Sequence, residues 1–97
     1  MISEQRLHAL EKANEVRSAR ALLKRGLTAG TIELAGVLGD PPACVQNAKL
    51  SALLLAVPRT GPARVARALN RCQITDGKTL AGLTSRQRAA MIALLPL

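Results

Sequence analysis

Leu55-Ala-Val-Pro-Arg-Thr-Gly-Pro-Ala-Arg-Val-Ala-Arg-Ala-Leu69 is the stretch whose reading decides the fold. An apolar helix end runs into a tight turn between Pro58 and Gly61. Pro62 then opens another helix, because its fixed φ and missing N–H suit the first helical position. Each helical residue advances about 100°, so Arg64, Arg67 and Arg71 fall within an arc of about 60°. Val65, Ala66 and Leu69 are expected on the opposite, inward side. Within Arg59-Thr60-Gly61, Gly61 is expected to supply φ values closed to other residues and to let a phosphate come close. The free amides of Ala63 and Arg64 would face outward with the positive end of the helix dipole, a geometry that holds phosphate without reading bases. A charged stripe by itself is usually a solvated face. Here it continues from a phosphate-type turn, which favours phosphate contact.

Working toward the N-terminus, the apolar run Leu50-Ser-Ala-Leu-Leu-Leu-Ala-Val57 predicts a central core helix over about Pro41 to Ala56, with Asp40 as N-cap. Thr28 to Leu38 reads as a short helix with Ile32, Leu34, Val37 and Leu38 inward and Gly39 ending it. Ser3 to Arg25 reads as one long helix, capped by Ser3 and stopped by Gly26. Its acids Glu4, Glu11 and Glu15 precede Arg17, Arg20, Lys24 and Arg25, an order that complements the helix dipole. Leu7, Leu10, Val16, Leu22 and Leu23 form its sparse apolar face, so its first two turns are expected to project from the body or to fray.

Toward the C-terminus, the helix from Pro62 ends near Asn70 or Arg71. Gln73 to Leu83 reads as irregular, with a turn at Asp76-Gly77. Thr84-Ser-Arg-Gln87 is a capping box that opens a last helix to about Leu95. No segment alternates with period two. The expected fold is all-α with about five helices, a long N-terminal helix over residues 1–26 packed on a helical module over 27–97, in a single domain of 97 residues.

Composition narrows the function classes. The chain has no Phe, Tyr or Trp, which argues against modules that stack unpaired bases on aromatic rings. The formal net charge is +8; residues 1–40 carry a net +1 and residues 41–97 a net +7, with Asp76 the one acid of that second part. Such a one-sided field attracts polyanions. The two cysteines, Cys44 and Cys72, match no zinc spacing and are expected to be small buried residues. No signal peptide or membrane-length apolar run is read, so a cytoplasmic protein is expected. His8 has no catalytic partner and the carboxylates are scattered, so neither enzyme activity, nor a metal or other cofactor, nor a small-molecule substrate is expected.

Further candidate contacts lie outside the main stripe. Arg17, Arg20 and Lys24 repeat its i, i+3, i+7 spacing on the first helix, either as solvated charges or as phosphate contacts. Arg86 and Arg88 sit in the first turn of the last helix, where cations oppose the dipole unless an anion lies near.

Val57-Pro58-Arg59-Thr60-Gly61-Pro62-Ala63-Arg64-Val65-Ala66 resembles the helix-hairpin-helix pattern, with Arg59 where glycine is often found. More broadly the chain resembles the actinobacterial integration host factor family. The matching residues are Glu4-Gln5-Arg6, Arg20-Ala-Leu-Leu-Lys-Arg25, Lys49-Leu-Ser-Ala-Leu53, Pro58-Arg-Thr-Gly61, Arg64, Gly82-Leu83 and Arg86-Gln-Arg-Ala89. The resemblance implies a small nucleoid protein with a helix–two-turns–helix module shaped like ribosomal protein S13. It implies binding to double-stranded DNA with little sequence preference, DNA shaping and help to a phage integrase. It places Lys49, Ser51, the Pro58–Gly61 turn (Arg59, Thr60, Gly61) and Arg64 in the DNA-contacting core. The family's arginine-rich stretch before the last helix reads Lys78-Thr-Leu-Ala81 here, so only Lys78 keeps the charge; Arg71, Arg86 and Arg88 are candidates to compensate. Two other readings stay open: an RNA- or ribosome-binding module, and a protein-interaction bundle using the apolar end Met91–Leu97.

Overall fold

The computed structural model describes the backbone over residues 4–97 and side chains from residue 6 onward. The expected Ser3 cap lies outside the described residues. The elements are α1 (Glu4–Ala29), α2 (Leu34–Gly39), a 3-10 turn (Ala43–Val45), α3 (Leu50–Ala56), α4 (Pro62–Arg71) and α5 (Ser85–Leu94). Among the described residues there is no strand, and one isolated antiparallel bridge pairs Lys49 with Thr79. The all-helical expectation holds, while three helix boundaries differ from it.

α1 runs past Gly26. Its true stop is Gly30, at φ +80°, where Thr31 N–H donates to the Gly26 carbonyl at 3.0 Å and Gly30 N–H to the Leu27 carbonyl at 3.3 Å. This is a Schellman stop, and the left-handed position falls to the glycine that follows the last turn. Gly26 instead lets Ile32 approach: a Cβ there would collide with the Ile32 side chain. Residues 6–15 of α1 are exposed, so its first turns do project. The inward stripe is Val16 and Arg20, half-buried, then Leu23 and Leu27, buried, at helical spacing. Leu22, expected inward, is 63% exposed because it lies about 100° off that stripe.

Thr28 belongs to α1, and α2 begins only at Leu34. The Thr28 hydroxyl lies 2.8 Å from the Ala56 carbonyl and so ties the end of α1 to the end of α3. The single helix expected from Pro41 to Ala56 is broken. Asp40 ends α2 rather than capping a new helix, and Pro41-Pro42 admits only a 3-10 turn. Residues 46–50 instead form a turn and a short crossing held by hydrogen bonds to residues 78–81, with the single bridge between Lys49 and Thr79. Leu50 N–H donates to Lys78 at 3.0 Å, Leu80 N–H to Ala48 at 3.1 Å and Ala81 N–H to Gln46 at 2.9 Å.

Leu38, Val45, Leu53, Leu54, Leu80 and Met91 are fully buried where the helices meet. Each aliphatic side chain so buried contributes on the order of 1.5–3 kcal/mol. Ile92, Leu94, Leu95 and Leu97 pack partly against this core. Cys72 is buried and Cys44 half-buried, and both are free thiols.

Candidate nucleic-acid interface

The Val57–Thr60 corner is closed by Thr60 N–H donating to the Val57 carbonyl at 3.3 Å. Pro58 sits second and Arg59 third, at φ +64°. Proline followed by a left-handed residue is the pattern of a type II turn. The conformational demand therefore falls on Arg59. Gly61, expected to carry it, has φ −80° and ψ 165°, which any residue adopts. Gly61 serves as the N-cap of α4, and a Cβ there would meet nothing within 4 Å. No side chain caps α4. Residues 61–64 are exposed, so the uncapped first turn of α4 has the geometry that holds an anion.

Thr60 is 8% exposed, with its hydroxyl 3.5 Å from the Pro58 carbonyl. It faces inward with Leu54 and Val57 and lines an apolar cavity of about 320 Å³ that also touches Leu27, Leu34 and Leu95. Its expected place at the anion-facing surface is thus corrected to a wall of the core side of the turn.

On α4 the arginine stripe stands as expected. Arg64, Arg67 and Arg71 are exposed, and Val65, Ala68 and Leu69 are buried. Ala66, expected inward, is exposed and Ala68 takes its place. The stripe runs along the seam with the end of α5, where Arg64 Nη1 donates to the Leu97 carbonyl at 3.4 Å. Arg67 Nε donates to the Ala63 carbonyl at 3.4 Å. Among the described residues none of these arginines has an Asp or Glu partner, and Arg67 and Arg71 in particular keep their charge available to a ligand. Burial raises the thiol pKa of neighbouring Cys72, an effect that the Arg71 charge partly opposes.

The remaining candidates divide. Lys49, Ser51 and Lys78 come together at the Lys49–Thr79 bridge, where the Ser51 hydroxyl reaches the Asp76 carbonyl at 3.4 Å. Lys49 is exposed there, and Lys78 is half-buried. Arg86 is exposed in the first turn of α5. Arg88 turns inward: Nη2 lies 3.5 Å from the Leu80 carbonyl, and Nε is buried without a partner among the described residues. Arg17 is exposed and Lys24 half-buried. Arg20, between them, is half-buried and its Nε donates to the Cys44 carbonyl at 3.0 Å. Arg20 and Arg88 are struts, since a guanidinium carries five donors that suit backbone carbonyls as well as phosphates.

One feature carried no sequence signal. Leu94 and Leu97 form, with Ala68, the apolar side of a groove whose other side is Arg64, Arg67 and Arg71. These residues meet only through the packing of α5 on α4.

No family model matches the chain. The chain is 38% identical over 94 residues to the "Integration host factor" of Mycobacterium tuberculosis, covering 95% of this chain and 90% of that protein. It is 38% identical over 94 residues to the protein of the same name from Mycolicibacterium smegmatis, with the same coverage. It is 34% identical over 90 residues to that of Streptomyces coelicolor, covering 91% and 84% respectively. Among solved structures, one described as sIHF bound to an 8-bp palindromic DNA superposes with a TM-score of 0.74 at 31% identity, covering 84% of this chain and 93% of that one.

Proposed function

Since the chain belongs to the actinobacterial integration host factor family, we propose that it is a DNA-binding architectural protein that grips duplex DNA through the phosphate backbone. The observation that carries this reading is the arginine row Arg64, Arg67 and Arg71, which starts at the uncapped end of α4 and has no Asp or Glu partner among the described residues. Arg59 at the tip of the turn extends the positive surface by one residue. Lys49, Lys78 and Arg86 add exposed or half-exposed charge on neighbouring elements.

Contacts of this kind position a protein without reading sequence. The protein accordingly coats and shapes DNA in the nucleoid with little base preference, and supports site-specific recombination by an integrase through the DNA shape it imposes. It acts as one domain, with no catalytic step of its own.

The test is fluorescence anisotropy of a labelled duplex of about 20 bp at several salt concentrations. Neutralised phosphates release counterions, so log K should fall linearly with log salt, at about 0.9 per phosphate contact. Any unrelated duplex should compete equally. Affinity that is flat with salt, or strong preference for structured RNA, overturns the reading.

A further inference from the structure

The cavity behind the Val57–Thr60 corner has a volume of about 320 Å³. Leu27, Leu34, Leu54, Val57 and Leu95 give it mostly apolar walls, drawn from α1, α2, α3, the corner and the segment after α5. It opens to solvent at Gly30, Glu33 and Pro58, which line it and are exposed. An apolar cavity of about 150 Å³ already holds benzene, so this space has room for a two-ring body.

Among the described residues two polar side chains line the cavity, Thr60 and Glu33. Thr60 is buried, and its hydroxyl reaches the Pro58 carbonyl at 3.5 Å. That is well beyond the usual O–H···O range of about 2.5–3.0 Å. A buried hydroxyl held so loosely keeps donor and acceptor capacity for a guest. Glu33 precedes α2 without capping it through its side chain, and it is the one charged side chain lining the cavity. A carboxylate at the mouth attracts an ammonium and repels an anion. The net charge of +8 acts the other way. At physiological salt that field is screened beyond about 8 Å, so the adjacent carboxylate governs the choice.

We propose that this cavity is a binding site for a small amphipathic amine, with an apolar ring body among the leucines and its ammonium at Glu33. A ring N–H finds its acceptor in the Thr60 hydroxyl. The site uses none of the arginines of α4, so the inference stands independently of DNA binding.

The experiment titrates the full chain into three probes that share an indole body: tryptamine, indole-3-ethanol and indole-3-acetate. The protein has no Phe, Tyr or Trp, so indole emission reports the probe alone. A blue shift with raised anisotropy marks entry into the apolar cavity. Tryptamine should bind most tightly and indole-3-ethanol about threefold more weakly, the modest factor expected of one exposed carboxylate. Indole-3-acetate should bind most weakly. Glu33→Gln should bring tryptamine and indole-3-ethanol within about 1.5-fold of each other. Ala35→Leu fills part of the cavity from α2 and should weaken both by about tenfold. Thermal melts identify any variant that fails to fold, and the other variant then decides. Absence of a blue shift with every probe in the millimolar range overturns the inference. Tightest binding by indole-3-acetate also overturns it, since that makes the arginines the site. A tryptamine preference that survives Glu33→Gln, or affinities unchanged in folded Ala35→Leu, does the same.

Discussion

Gln87 Nε2 donates to the Gln73 carbonyl at 2.9 Å and so joins the stop of α4 to the start of α5. Each end is a complete capping motif. Gln73, at φ +57°, is the left-handed residue of a Schellman stop: its N–H donates to Asn70 at 3.1 Å, and Ile74 N–H donates to Leu69 at 2.9 Å. Gln87 also accepts from Thr84 N–H at 3.0 Å, while its own N–H donates to the Thr84 hydroxyl at 3.1 Å. This one side chain thereby bridges the two caps that flank the segment between α4 and α5.

Gln87→Ala should lower stability by about 1–2 kcal/mol in urea denaturation, since it removes half of a capping box and the bond to Gln73. Gln87→Glu keeps the acceptor for Thr84 N–H and loses the donor to Gln73, so it should fall between the two. Equal stability of the alanine variant and the wild type would contradict the role given to this residue.

Arg59 occupies a left-handed conformation that costs a side-chain-bearing residue on the order of 1–2 kcal/mol. Arg59→Gly should therefore be more stable than Arg59→Ala by about 1 kcal/mol. Both lose the charge at the tip of the turn. Both should weaken DNA binding alike and lower the salt slope by about one unit. Denaturation and anisotropy on the same pair separate strain from charge.

Arg67→Ala and Arg71→Ala should each reduce the salt slope by about one unit with little change in melting temperature. Arg88→Met and Arg20→Met should show the reverse. Their guanidinium groups hold the Leu80 and Cys44 carbonyls, so stability should fall by roughly 1 kcal/mol while the slope holds. A lowered slope for Arg88→Met would return that residue to the DNA surface.

Burial raises the pKa of the Cys72 thiol in the fold, more than the Arg71 charge lowers it. The native state then holds its proton at pH values where the unfolded chain releases it, so folding stability should decline above about pH 8.5. Below that value the thiol is protonated in both states and its contribution is constant. Cys72→Ala should flatten the alkaline decline in urea midpoints measured across that range. The chain has no tyrosine to confuse the result.

Much of the site was legible because its signals are local. Pro62 at the first helical position, the 100° spacing of Arg64, Arg67 and Arg71, and the Thr84…Gln87 box each depend on residues within one or two turns. The errors fell where distant segments compete for the same residues. Residues 46–50 have helix-compatible side chains, yet they pair with residues 78–81. Arg20 and Arg88 have the spacing of surface charges, yet each finds a carbonyl from another element.

By itself the sequence determined an all-helical chain, the proline corner with its arginine row, and a basic second half facing a polyanionic partner. Helical periodicity, proline geometry and charge are properties of neighbouring residues and need no knowledge of the fold. Only the tertiary structure decided that Arg59 rather than Gly61 bears the left-handed turn, and that Thr60, Arg20 and Arg88 turn inward. It also decided that Leu94 and Leu97 line a groove with Arg64, Arg67 and Arg71. Those outcomes depend on which backbone groups and apolar faces meet across the chain, and burial leaves polar groups without water unless such a partner is found.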